Sequence, residues 1–260
     1  TLGFISQATL SLITPPLKPQ VFLIGLENQD HLLDIFKEFK NTVSPLAFEF
    51  WTDKSLDYVL PHGSISFPLQ KRYPFYILIE LEEYDSEKAF SLFEKFYEKN
   101  ILKEAILSQN SSQYEEIWSL RENISESLSA HKPYKNDISV KVSKIIEFLK
   151  DIEKLLNIKY PNFEVIIFGH IGDGNLHINI LKPNNLSREN FIKECEKVNK
   201  SVFELVKKYK GSISAEHGVG LLKKNYLSYS CSPEEIKLMK DIKKLFDPDN
   251  ILNPGKIFNL

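Results

Sequence analysis

The spacing of apolar positions divides the chain into two runs of the same kind. Residues 21–26, VFLIGL, are apolar and β-prone and predict a strand. Residues 30–40, DHLLDIFKEFK, are apolar at 32, 33, 35, 36 and 39, the period of a helix. A short strand over 46–51 follows, then a short helix or turn over 55–60 and a loop over 61–72. The run 74–81, PFYILIEL, predicts a strand, 86–99 an amphipathic helix capped by Asp85 or Ser86, and 103–107 a short extended piece. The order is β-α-β-β-α-β.

A helix over 111–130 leads into a second set. Residues 137–142, DISVKV, predict a strand, and 143–157 a helix with apolar Ile145, Ile146, Leu149, Ile152, Leu155 and Leu156. Strands over 164–168 and 176–181, a long helix over 187–209 capped by Ser187 and a short strand over 211–214 complete β-α-β-β-α-β again. The halves share a pattern and no matching identity. The expected fold is α+β: two ferredoxin-like units, over 20–108 and 136–215, each an antiparallel sheet with its helices on one face. Ser232-Pro233-Glu234-Glu235 opens a further helix over 232–246. The tail FDPDNILNPGKIF is turn-rich, and Ile251, Leu252, Ile257 and Phe258 in it need something to pack on.

Composition narrows the class. Of 260 residues 42% are hydrophobic and 26% charged, as in a globular domain. The net charge of −2 and the lack of a basic run argue against a nucleic-acid partner. Cys195 and Cys231 are not a CxxC pair and read as two reduced thiols. No stretch of about 20 apolar residues predicts a transmembrane helix, and no signal segment is evident. The chain opens on Thr1 and its one methionine is Met239. Residues 1–14 alternate like a strand before Pro15-Pro16, and are expected to be the tail of a preceding domain, with 15–230 the main domain and 231–260 a C-terminal helix and tail.

Chemistry concentrates in two glycine-rich segments. In FGHIGDGNLHINI, residues 168–180, a hairpin brings His170 and His177 to one mouth, with two glycines for a reversal that needs positive φ. His177 and Asn179, two apart on a strand, share a face. SAEHGVG, residues 214–220, supplies Glu216 and His217. Two imidazoles and a carboxylate can form a catalytic zinc shell with an open position, and also suit manganese, iron or cobalt. Hydrogen-bonded histidines without a metal are the plain alternative, and His31, His62 and His131 have no such setting. Arg121 and Ser125 share a helix face. Arg121 can fork a substrate carboxylate, or simply pair with Glu116 or Glu122, and Lys135 is equally ambiguous. Glycine-rich phosphate loops, a GxSxG elbow and an HExxH helix are absent.

Together these segments resemble the C-terminal half of the flavin-linked oxidase family that includes D-lactate, glycolate and D-2-hydroxyglutarate dehydrogenases. GHIGDGNLH followed by SAEHGVG carries most of the resemblance, and IWSLRENISE, YKNDISVKV and FDPDNILNPGKIF fall in the family's order. LAFEF, PFYILIE and SAEHGVG before KKNYL lean toward the D-2-hydroxyglutarate branch. The resemblance implies that His170, His177 and Glu216 hold a divalent metal, zinc first. It implies His217 as general base, Arg121, Ser125, Lys135 and Asn179 around the substrate, and Asn253 near the flavin. It implies FAD held mainly by an upstream domain, to which 231–260 return, and a fragment inactive alone. Asn136 and Gly255 depart from that branch, which usually has aromatic residues there, and leave the substrate open. The implied electron acceptor is an electron-transfer flavoprotein, a quinone or a cytochrome, and a homodimer is compatible. The implied compartment is the cytoplasm or mitochondrial matrix, or a membrane periphery. A binding module without catalysis is the competing class.

Overall fold

The computed structural model describes residues 1–63 and 65–260. The first unit contains strands β1 (Pro19–Leu26), β2 (Ala47–Thr52), β3 (Phe75–Glu82) and β4 (Glu104–Leu107), with helices α1 (Leu32–Thr42), α2 (Leu56–His62) and α3 (Ser86–Glu98). Helix α4 (Ser111–Ser129) crosses to the second unit: β5 (Tyr134–Ser139), α5 (Ile145–Lys159), β6 (Glu164–His170), β7 (Asn175–Leu181) and α6 (Arg188–Lys208). Helix α7 (Pro233–Phe246) follows. The expected loop over 61–72 includes residue 64, which lies outside the described residues.

The seven strands form one antiparallel sheet in the order β4-β1-β3-β2-β6-β7-β5. The two units therefore do not sit side by side as separate sheets. They join edge to edge through β2 and β6, with Glu49 opposite His170, Phe50 opposite Gly169 and Trp51 opposite Phe168. The Thr52 hydroxyl donates to the Ile167 carbonyl across the seam at 3.1 Å.

Alternation along the strands sorts the core into two layers. Phe22, Ile24, Phe50, Ile79, Ile138 and Ile178 pack under α1, α3, α5 and α6. Val21, Leu23, Trp51, Tyr76, Ile166 and Phe168 pack under α2 and α4. Each unit's own pair of helices lies on one face, as expected. The short α2 and the connecting α4 cover the other face.

Three expectations need correction. The strand expected over 137–142 runs instead from Tyr134 to Ser139, because Val140 donates its N–H to the Gly174 carbonyl and residues 142–144 turn into α5. The strand expected over 211–214 shrinks to one bridge, Ser139 to Ser212. Side-chain hydroxyls take the amides that would extend it: Ile213 donates to Ser230 Oγ and Ser214 to Ser212 Oγ. The alternating residues 1–14 form no strand, and Phe4, Ile5, Leu10, Leu12 and Ile13 stand exposed.

Caps follow the sequence in part. Ser187 caps α6 and Ser232 caps α7 in a reciprocal box with Glu235. Asp85 makes no cap bond. It pairs with Lys88, and α3 is entered through a 3-10 turn. In the tail, Phe258 is buried while Ile251 is exposed.

Candidate metal and substrate site

Strand β6 ends at His170, and a 3-10 turn over Ile171–Asp173 leads to Gly174 at φ 72°. A Cβ on Gly174 would stand 2.0 Å from the Val140 carbonyl oxygen, so the turn needs glycine there. Only one of the two expected glycines serves this way. Gly172 keeps a negative φ and lies against Phe36. The hairpin sets the rings of His170 and His177 5.5 Å apart and nearly perpendicular.

Glu216 approaches both rings from the loop after the Ser139–Ser212 bridge. His170 Nε2 lies 3.5 Å from Glu216 Oε1, and His177 Nε2 lies 4.0 Å from Glu216 Oε2. One donor atom from each of the three falls within 4.8 Å of the others. The opposite ring nitrogens face buried carboxylates. His170 Nδ1 is 2.8 Å from Glu49, and His177 Nδ1 is 3.5 Å from Asp137. Such carboxylates orient metal-binding imidazoles and leave Nε2 free to donate a lone pair.

The electrostatics follow from these partners. The hydrogen bond to Glu49 raises the His170 pKa. Burial pushes His177 down to about 4, so it is a neutral imidazole at pH 7. Burial opposes the ionised form of Asp137. The backbone N–H groups of His217 and Glu216, at 2.9 and 2.8 Å, outweigh it and hold the carboxyl below its usual range. A second set, Asp137, His177 and His217, also meets the distance condition for a metal. Asp137 gives Oδ2 to those two amides and turns Oδ1 toward His177 Nδ1, whereas Glu216 meets the Nε2 atoms of both His170 and His177.

His217 lies nearly parallel to His177 at 5.8 Å, with Nδ1 3.7 Å from Asp137. Both sit in one cavity of about 400 Å³, with Arg121, Ser125, Lys135, Asn136, Asn179, His170 and Glu216 on its walls. Thus all the sequence-predicted site residues except Asn253 line one space. Asn253 stands exposed on the tail, in left-handed backbone at φ 50°, outside this cavity. Arg121 pairs with neither Glu116 nor Glu122. Its guanidinium meets Glu49 at 2.8 Å and lies over the Phe168 ring. Burial lowers its pKa.

Three contributors escaped the sequence reading. Glu49 is buried and anchors His170 and Arg121. Asp137 holds the Glu216–His217 backbone. Asn175 donates to Glu216 Oε1 at 2.6 Å. A carboxylate inside an apolar strand, as in AFEFWT, was the available signal for Glu49.

The residues fit a divalent ion on donor type: two imidazoles and the Glu216 carboxylate converge, and each imidazole is backed by a buried carboxylate. Arg121 balances Glu49, and Lys135 and Lys223 stand beside Asp137 and Glu216, so a dication there would leave a positive site that suits an anionic ligand.

The family described as FAD linked oxidases, C-terminal domain, matches residues 16–257. The chain belongs to that family. This FAD-oxidase C-terminal domain is 46% identical over 261 residues to D-2-hydroxyglutarate dehydrogenase of Stutzerimonas stutzeri, covering 99% of the chain and 56% of the relative. It is 43% identical to D-2-hydroxyglutarate dehydrogenase of Xanthomonas citri pv. viticola, covering 99% and 55%. The chain thus spans a little over half the length of these relatives. Among solved structures, 4-ethylphenol oxidase from Gulosibacter chungangensis in its isoeugenol complex superposes with a TM-score of 0.65 at 15% identity. That match covers 94% of the chain and 55% of the oxidase, and it supports the fold alone. No helix among the described residues is long and apolar enough to cross a membrane.

Proposed function

We propose that this domain is the substrate- and metal-binding half of an FAD-dependent D-2-hydroxyacid dehydrogenase, with D-2-hydroxyglutarate as first substrate. The carrying observation is that one cavity combines a His-His-Glu triangle, a histidine braced by a buried carboxylate, and two cationic side chains. His170, His177 and Glu216 would hold the ion, zinc first, with manganese, iron or cobalt as alternatives. Bound there, the ion supplies Lewis acidity toward the 2-hydroxyl and its neighbouring carboxylate. His217 accepts the hydroxyl proton, and Asp137 stabilises the imidazolium that results. Lys135, Ser125 and Arg121 orient the substrate's far end, and Asn179 flanks the ion. FAD, held mainly by a further domain, would supply the hydride-accepting chemistry for the C2 hydrogen.

In this reading residues 1–14 belong to that further domain, as their exposed apolar side chains suggest. Residues 231–260, with Asn253, return to it. One observation favours a second substrate class: Arg121 is already paired with Glu49, so that among the described residues on the cavity wall Lys135 is left for a distal carboxylate. A monocarboxylate such as D-lactate or glycolate has no distal carboxylate and needs no cation there.

The test is turnover of full-length protein on D-2-hydroxyglutarate, D-lactate and glycolate with an artificial acceptor, with and without chelator. The expected result is chelator-sensitive oxidation, fastest on D-2-hydroxyglutarate. Glu216→Ala should lose metal, while His217→Ala should lose turnover and keep metal. No oxidation of any of the three by flavin-loaded protein would instead favour a non-catalytic binding module.

A further inference from the structure

A second cavity, of about 580 Å³, opens at the β5 edge of the sheet, between α6 and residues 222–226. Lys135 and Asn136 line both this space and the substrate pocket. Tyr134 and Asn136, two apart on β5, share the face toward α6, and Asn199 of α6 donates to the Tyr134 hydroxyl. Both asparagines are only 3% exposed, yet Asn136 Nδ2 and Asn199 Oδ1 have no hydrogen-bond partner among the described residues. One is a donor and the other an acceptor, and each buried group calls for a complementary atom. The walls carry Lys135, Arg188 and Lys223 against the single carboxylate of Glu196. Arg188 donates to the Lys132 carbonyl, and Lys223 to the carbonyls of Asp137 and Ile213. Both bonds are to carbonyls rather than carboxylates, and Asp137 is the carboxylate beside Lys223.

We propose that this cavity binds a small carboxylate carrying a hydroxyl or amino group, in a site distinct from the substrate pocket. The carboxylate accepts from Asn136 Nδ2 and answers the excess of positive charge. The hydroxyl or amine donates to Asn199 Oδ1, and Phe203 and Tyr226 give apolar walls. A lone buried water would satisfy the two amides but not the cations. Because Lys135 borders both spaces, an anion here competes for it and weakens the hold on substrate, a coupling that works equally in reverse. The binding itself does not depend on the redox reading; the coupling through Lys135 rests on it.

Calorimetric titration of the full chain with L-glutamate tests it. Saturable binding is expected, retained in His177→Ala, weakened roughly tenfold in Asn199→Leu and about threefold in Arg188→Gln, an exposed position where folding is not at stake. An absence of saturable binding overturns the proposal, as does binding that Asn199→Leu and Arg188→Gln leave unchanged. Binding lost in His177→Ala but kept in Asn199→Leu assigns the glutamate to the substrate pocket, and overturns it equally.

Discussion

Glu49→Gln removes one negative charge and keeps the side chain's shape. In the native chain that charge faces Arg121 and His170, each at 2.8 Å, and the Glu49 and Arg121 side chains are each 8% exposed. At about 4 Å between charge centres and an effective dielectric of 20, the arginine pair is worth about 4 kcal/mol of attraction. Much of it offsets the cost of burying both ions. Removing one partner leaves the other buried and unpaired, which costs about 3–5 kcal/mol. The variant is therefore expected to lose that much in urea denaturation of the metal-free chain, with a fall in Tm on the order of 10 °C. His170 loses the carboxylate that orients its ring, so zinc affinity by chelator competition should drop about 10–100-fold. The double variant Glu49→Leu/Arg121→Met should recover most of the stability and none of the affinity. A Glu49→Gln protein within about 0.5 kcal/mol of native, with unchanged zinc affinity, would refute the reasoning.

Further predictions follow from the same geometry. Glu49 raises the His170 pKa above 6.5, so its contribution to metal-free stability is complete below pH 6.5 and lost as pH rises through the raised value. Denaturation across that range should show the decline in native protein and a flatter profile in Glu49→Gln; identical profiles would contradict it. His177 should titrate by NMR near pH 4 in the metal-free chain, and a midpoint near the ordinary 6.5 would disprove its desolvation. Asp137→Asn keeps an acceptor for the amides of Glu216 and His217 but drops the charge, and should lower zinc affinity about 10–100-fold. Unchanged affinity would make Asp137 a purely structural residue. Gly174→Ala adds about 1–2 kcal/mol of left-handed strain to a contact 2.0 Å from the Val140 oxygen, and should abolish metal binding along with stability. An unperturbed denaturation curve would show the turn to be permissive.

What could be read from the chain was whatever local periodicity encodes. The six-element rhythm appears in residues 20–108, and the helix caps at Ser187 and Ser232 were written in the residues beside them. His170 and His177 were visible because one hairpin joins them. Glu49 was not, because its partners stand 72 and 121 positions away, and only the β2–β6 register brings them together. Arg121 shows the same limit: helix spacing offered Glu116 and Glu122, and a strand in the other direction supplied the actual partner. The β5 boundary moved because Val140 serves the hairpin turn rather than the strand.

The seam between the units carries a consequence of its own. Glu49 comes from one unit and His170 from the other, and they are opposite each other in the pairing of β2 with β6. A slip of one residue in that pairing would turn Glu49 toward α1 and α5 and take the acceptor from His170. An ion held by His170, His177 and Glu216 would lie within the second unit and reach the seam through the His170–Glu49 bond. By fixing the His170 ring against Glu49, such an ion would favour the aligned register. Amide exchange along β2 and β6 is then expected to quicken on chelation well before that of β1 and β3, which lie away from that bond.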